Sequence, residues 1–337
     1  MAFREVVGHR RLLTLLSRAI ARQSLTPSLI LSGPEGVGKR LTAVSIAQEL
    51  NCLTMDDGRS TMDAAGACGT CTVCSRIARG THPDVLTIEP GDTGSIKIEQ
   101  VRAAIDRANY RPFEGRRRVT IIEEADALVS AAQNALLKTL EEPLPASVFV
   151  LVTSRPDTLL PTVRSRCAHL RFGRLQVADV ASVLEGSEGY SRTDALTAAA
   201  ASDGSVRRAL DLEADAFTEA RSDAEGLLQS AGRDPRTRLD HAKDLLKGGG
   251  SAASEREHLG ARLMAMTALV RDAGLLASGG DASLLANLDR RQVVEPMART
   301  LGVDRIGKIF AAITRAEDAL ERNVSPKVVA DWLAVQL

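Results

Sequence analysis

Aromatic residues are scarce in this chain, at 3% of 337 positions with one Trp and two Tyr. A surface that stacks single-stranded bases needs rings in series, so the composition argues against that class. Net charge is also missing, because 43 Lys and Arg meet 43 Asp and Glu. No overall field then draws the molecule to nucleic acid or to an anionic membrane. Contact with DNA has to come from a local patch or a shared assembly. No apolar run approaches the length that crosses a bilayer. The start, MAFREVVGHRRLL, mixes both charges and lacks the apolar centre of a secretory signal. The expectation is a cytoplasmic protein with no membrane partner.

What is present is ordinary for a globular protein, with 44% hydrophobic and 26% charged residues. The length suits two or three domains. In the first half, strand and helix patterns alternate. SLILSG, DVLTIEP, RVTIIEEAD and SVFVLVTS read as strands. Residues 10–22, about 38–50, IEQVRAAIDRAN and SAAQNALLKTLEEP read as helices. Such alternation predicts an α/β unit with a parallel sheet covered on both faces. From about Leu175 the strand signal ends and Ala/Leu-rich helices follow, broken at KGGGSAAS and LASGGDAS. The last stretch predicts two packed helices joined at NVSP.

The loop GPEGVGKR lies between a strand and a helix, the context that gives a P-loop its meaning. Gly33, Gly36 and Gly38 let the backbone turn its N–H groups toward phosphate oxygens. Lys39 reaches outer phosphates as a point charge. The next position normally carries the hydroxyl that ligates magnesium, and here it is Arg40. The acidic segment after the third strand offers Glu123 where an Asp is usual, then Glu124 where a catalytic base would sit. These two departures argue against hydrolysis of ATP with Mg2+. Nucleotide binding without turnover stands beside a degenerate pocket in which Lys39 pairs with Glu123. Thr153 and Ser154, at the end of the fourth strand, suit a sensor of phosphate or water.

Five cysteines in such a chain point to metal or redox chemistry rather than disulfides. Cys68, Cys71 and Cys74 are spaced by two residues each, and Cys52 lies close enough to complete a four-sulfur set. Four thiolates with no open position describe structural zinc; an iron–sulfur cluster or a redox switch is the alternative. His82 is a possible alternative ligand, with a turn role before Pro83 preferred. Among the arginines, Arg164 and Arg166 follow Pro161, and Arg207 and Arg208 open a helix in GSVRRAL, where one of them, Arg207, is expected to fold over a nucleotide held by the first domain. Arg116, Arg117 and Arg118 read as a solvated turn, with a DNA-facing or subunit-facing patch as the alternative.

VVGH, GPEGVGK, CGTCTVC, GTHPD, NALLKTLEEP, LPTVRSRC, GSVRRAL and NVSP occur in this order along nearly the whole chain. Together they resemble the clamp-loader subunits of bacterial DNA polymerase III, in the AAA+ superfamily. The resemblance implies an AAA+ nucleotide-type domain over 1–174 with a zinc module at about 52–74. It further implies a helical lid over 175–212 and a helical collar for oligomerisation over 213–337. Arg40 and Glu123 depart from the gamma/tau motors toward the delta prime branch. That branch implies a stator that offers Arg166 to the ATP site of a neighbour, with Cys167 a buried neighbour in the motif. The implied partners are gamma/tau and delta subunits, the sliding clamp and, through the assembly, primed DNA. The rival reading is an ATP-hydrolysing gamma/tau-like motor. A stand-alone zinc-containing DNA-binding module is a third, disfavoured by the neutral charge.

Overall fold

The computed structural model describes residues 3, 5–55, 66–144, 146–186, 190–210, 214–247, 251–282, 285, 287 and 290–337. They form two compact units, Met1–Leu175 and Gln176–Leu337. Part of the expected zinc module (56–65), part of the expected lid (187–189 and 211–212) and part of KGGGSAAS (248–250) lie outside the described residues.

In the first unit, α1 (Arg10–Ala21) buries Leu13, Leu16 and Ile20 along one face. It leads to β1 (Ser28–Ser32), buried at every residue. Next come α2 (Lys39–Asn51), α3 (Thr72–Ala78), β2 (Val85–Ile88), α4 (Ile98–Ala108) and β3 (Arg118–Ile122). The unit continues with α5 (Ser130–Glu141), β4 (Ser147–Thr153), α6 (Pro161–Arg164) and β5 (Ala168–Arg171). The strands form a parallel sheet in the order β2-β3-β4-β1-β5. The inner strands β1 and β4 read as continuous apolar runs because both faces are covered. Ile30, Phe149 and Leu151 pack with Val101 and Ala104 of α4 and Leu136 of α5 in one core cluster.

One strand went unforeseen. AHLR has only four residues, and His169 and Arg171 are exposed. Its apolar content is too low to stand out, yet β1 recruits it in register from Leu29↔Ala168 to Ser32↔Arg171. The pairing then carries on past β5, where the Phe172 N–H donates to the Ser32 carbonyl at 2.7 Å.

The second unit is helical among the described residues: α7 (Val177–Glu185), α8 (Arg192–Ala201), α9 (Val206–Leu210), α10 (Ala214–Gln229), α11 (Pro235–Asp244), α12 (Ala252–Ala277), α13 (Arg291–Glu321) and α14 (Pro326–Gln336). Its core gathers Leu263, Met266 and Leu269 of α12, Ile309 and Ile313 of α13, and Leu333 of α14. The two terminal helices meet at NVSP as expected, although Gly302 (φ 67°) breaks α13 into two segments. Among the described residues, no helix is long and apolar enough to cross a membrane.

Gly33 is the tightest point of the sheet edge. A Cβ there would stand 2.2 Å from the Phe172 carbonyl oxygen, and its φ of +144° is one that side chains rarely adopt. Gly33→Ala must therefore pry β5 from β1 or strain the loop. It should cost about 2–4 kcal/mol in urea unfolding. An unchanged midpoint would show that the edge yields freely.

Candidate functional site

The parallel sheet brings Gly33, Glu123 and Thr153 to the carboxyl ends of β1, β3 and β4, where phosphate sites form in such sheets. Gly33, Gly36 and Gly38 all have positive φ (144°, 71° and 94°), so the loop takes the turns that only glycine accepts readily. Gly38 caps α2, leaving the first N–H groups of that helix at the loop. Lys39 is 7% exposed, and its ammonium donates to the carbonyls of Gly33 at 2.6 Å and Pro34 at 2.5 Å. Burial lowers its pKa, against the pull of Glu35 and Asp126.

Arg40 is exposed and reaches Glu123, with Nε 2.8 Å from Oε1, while Nη2 lies 3.4 Å from Glu89. Glu123 thus pairs with Arg40, where the degenerate-pocket reading had placed Lys39. Burial raises the pKa of Glu123; Arg40 opposes this, and Glu89 and Glu124 add to it. Glu124 itself is exposed and held at φ 46°, ψ 50°, a sparsely populated conformation for a residue with a side chain. The residues do not fit magnesium. No hydroxyl stands at position 40, and a guanidinium, which offers donors only, already engages Glu123.

Thr153 is 1% exposed and its hydroxyl is committed. It donates to Asp126 Oδ1 at 2.8 Å and accepts from the Arg155 N–H at 3.0 Å. Asp126 also accepts from Arg155 Nε and Nη2, at 3.1 and 2.9 Å. The sensor role expected of Thr153 would need these bonds to exchange. Asp126 was not singled out from the sequence. The available signal was an acid three residues after Glu123, facing the end of a neighbouring strand. Ser154 beside it is half-buried.

The four cysteines converge at the other end of α2. Their sulfurs all lie within 4.8 Å of one another, and those of Cys52 and Cys68 are 3.6 Å apart. Zinc–sulfur bonds of about 2.3 Å in a tetrahedron place sulfurs about 3.8 Å apart, so the set could hold such an ion. Backbone N–H groups point at the sulfurs, from Cys68 to Cys52 at 3.3 Å, Cys71 to Cys68 at 3.2 Å and Cys74 to Cys71 at 3.4 Å. Burial resists ionisation of Cys68. The donors from Cys71, Thr70 and Cys52 outweigh it and bring that thiol down to about 5.

His82 does not join the cysteine group as an alternative ligand. It is buried, accepts from the Asp84 N–H at Nδ1 (3.2 Å) and faces Glu114 with Nε2 at 3.3 Å. Of the three arginines, Arg116 is exposed as a solvated turn would have it, while Arg117 and Arg118 are half-buried. Arg118 has a side chain 13% exposed and pairs with Asp84 at 3.0 Å. Arg116 donates to the Cys52 carbonyl, and the N–H groups of Arg116 and Arg117 both donate to Asn51 Oδ1, at 2.8 and 2.9 Å. Asp84 accepts from the N–H groups of Phe113, Glu114 and Gly115 at 2.7–2.9 Å. Buried Asn51 and Asp84 had unsatisfied oxygens to fill, and the backbone of the arginine loop fills them.

Arg166 bonds the Thr162 carbonyl at 3.1 Å and pairs with Glu141 at 3.3 Å. Arg164 pairs with Asp157 at 2.7 Å. Cys167 is half-buried rather than fully buried, and burial pushes its thiol up to about 12. Arg207 is exposed on α9 in the second unit.

A family model described as DNA polymerase III, delta subunit, matches residues 8–176. The DNA polymerase III subunit delta' of Pseudomonas aeruginosa is 39% identical over 154 residues, 45% of this chain and 45% of that protein. The gamma/tau subunit of Mycobacterium bovis is 34% identical over 171 residues, 51% of this chain and 28% of that protein. The chain thus spans less than half the length of either relative. A gamma-subunit-related protein of Thermotoga maritima, of known structure, is similar over 96% of this chain and 98% of its own. Its TM-score is 0.42 at 19% identity, a likeness that carries no functional weight.

Asp84 gives a test of how the arginine loop is held. Burial works against its charge, but three N–H donors and Arg118 prevail and lower its pKa below 3.8. A depressed carboxyl stabilises the fold above its unfolded value and loses that contribution as pH falls through the folded one. Asp84→Asn should cost about 2–4 kcal/mol at pH 7. The difference from wild type should persist above pH 5 and shrink below 3.8. A difference that stays constant to pH 2 in urea unfolding would exclude the ionised carboxylate as its source.

Proposed function

Because the chain belongs to the DNA polymerase III delta-subunit family of AAA+ clamp loaders, we propose that it is a delta-prime-type subunit that hydrolyses no ATP itself. It acts as a stator in a cytoplasmic ring of gamma/tau and delta subunits, and the ring loads a sliding clamp on primed DNA. The observation that carries this reading is the Arg40–Glu123 pair at 2.8 Å. A motor subunit would use the hydroxyl and the carboxylate at these two positions to hold magnesium. Here one is a cation and the other is bound by it.

Arg166 is the residue this subunit offers to a neighbour. Its side chain is 32% exposed, and its partner Glu141 is 59% exposed. An ion pair that open to water is worth about 0–1 kcal/mol, so the phosphates of an adjoining site could displace Glu141 at little cost. Gly33, Gly36, Gly38 and Lys39 retain the shape of a phosphate cradle, with Thr153 as its further element. In this reading the chain divides into an AAA+ domain (1–174), a lid (175–212) and a collar (213–337). On α14, Val328 (58% exposed), Trp332 (37%) and Val335 (55%) form a stripe at i, i+4 and i+7. Such an apolar face suits burial in a collar. The motor reading is favoured only by the intact glycine loop and by Glu124, whose exposed carboxylate stands where a base would act.

Cys52, Cys68, Cys71 and Cys74 would hold a structural zinc ion. Bound there, zinc supplies four thiolate bonds that close the module and no reaction. Elemental analysis should find one zinc per chain, and chelation should unfold the module, since such sites contribute about 10–16 kcal/mol in small domains. A folded chain free of metal would remove the zinc assignment.

Purified chain mixed with ATP and Mg2+ should show no turnover above background. Activity that Lys39→Ala abolishes would establish the motor reading instead. In a reconstituted loader, Arg166→Ala should leave assembly intact and slow hydrolysis at the site it serves by about 10³-fold. Unchanged hydrolysis would make Arg166 purely structural.

A further inference from the structure

Residues 113–117 form a loop whose five consecutive N–H groups are held by two buried side chains. Asp84 accepts from Phe113, Glu114 and Gly115, and Asn51 accepts from Arg116 and Arg117. Side chains of the loop add further ties. Glu114 accepts from Arg76 of α3 at 2.5 Å and lies 3.3 Å from His82 Nε2. Arg116 donates to the Cys52 carbonyl. The loop carries Phe113, which is 82% exposed, and Tyr110 just before it is 72% exposed.

Both helices that hold this loop are built into the cysteine centre. Asn51 is the last residue of α2 and Cys52 follows it, while Cys71 caps α3 and Cys74 and Arg76 lie within α3. The four cysteines form a small cluster with Ala67, apart from the core of the sheet. The Gln48 side chain of α2 also donates to the Cys74 carbonyl at 3.0 Å. An ion shared by four thiolates locks the two helices together, because each sulfur–metal bond has a fixed length. Sulfurs within 4.8 Å of one another have only weak hydrogen bonds of their own to keep them there.

We propose that metal at the cysteine centre governs the loop at 113–117. With the ion bound, α2 and α3 hold the loop from two sides, and Phe113 stands on a fixed support. With the ion removed, α3 shifts from α2, the Arg76–Glu114 tie is lost and the loop opens while the parallel sheet stays folded. This inference rests on the zinc reading and gives the ion a reach beyond its own module.

Hydrogen exchange of the full chain, followed by mass spectrometry, is compared before chelation, after it and after zinc is returned. Zinc content is measured on each sample. Chelation should speed exchange of the amides of 113–117 at least about 10-fold while those of β4 keep their protection, and returned zinc should reverse the change. Glu114→Gln loaded with zinc should exchange faster over the same amides, with its zinc content unchanged. A chain that neither contains nor takes up zinc removes the zinc reading and this inference together. Zinc lost with the loop rate unchanged, or with β4 accelerated as much as the loop, overturns the inference and leaves the zinc reading standing. So does a Glu114→Gln loop that exchanges at the wild-type rate.

Discussion

A parallel sheet leaves its builder no choice about where the strand ends go. Each strand must be followed by a crossover on one face or the other, and all carboxyl ends collect along one edge. Here that edge receives the glycine loop after β1, the acidic segment after β3 and Thr153 at the end of β4. The register sets their heights: Ser32 lies level with Thr153, and Ile122 with Leu151. Residues far apart in sequence meet because hydrogen-bonded strands permit no other arrangement. Gly33 shows how closely the edge is built, since its missing Cβ is the space the Phe172 carbonyl needs.

At that edge a single side chain changes what the pocket can do. Glu89, Glu123 and Glu124 make a local excess of negative charge, which a divalent ion would satisfy by taking oxygen ligands. The Arg40 guanidinium satisfies part of it from within the chain, through Glu123 and Glu89. It brings one charge instead of two and can bind neither water nor a phosphate oxygen as a metal does; it can only donate to them. Lys39 keeps its ammonium on the loop carbonyls of Gly33 and Pro34, so the cation nearest the acids is Arg40.

The P-loop, the four-sulfur set and the first four strands were legible in the sequence because each follows a local rule. Glycine spacing, cysteine spacing and apolar runs carry their meaning within a few residues. What was not legible depends on partners distant in the chain. β5 is a strand only because β1 has an open edge. Thr153 looked available until Asp126, 27 residues earlier, proved to hold its hydroxyl. Arg117 and Arg118 are half-buried in a run that reads as solvated, because nothing local announces that buried Asn51 and Asp84 take donors from it. Which side chain would pair with Glu123 was also undecidable locally. Lys39 and Arg40 are adjacent, and only the turn at Gly38 directs Lys39 back over the loop and Arg40 toward the acids.

The cysteine centre and the phosphate loop are joined by a physical link that neither motif suggests alone. Helix α2 begins at Lys39 and ends at Asn51, so its 13 residues span about 20 Å between the two. At its far end, Asn51 receives the N–H groups of Arg116 and Arg117, and the Cys52 carbonyl receives Arg116. These arginines lead directly into β3, which ends at Ile122, one residue before Glu123. At its near end, Arg40 pairs with that same Glu123. Helix and strand are therefore fastened to each other at both ends, and the cysteines anchor the end remote from the pocket. The spacing between Arg40 and Glu123 is held in this way from the far end of the helix, because any slip of α2 along β3 would break both fastenings together.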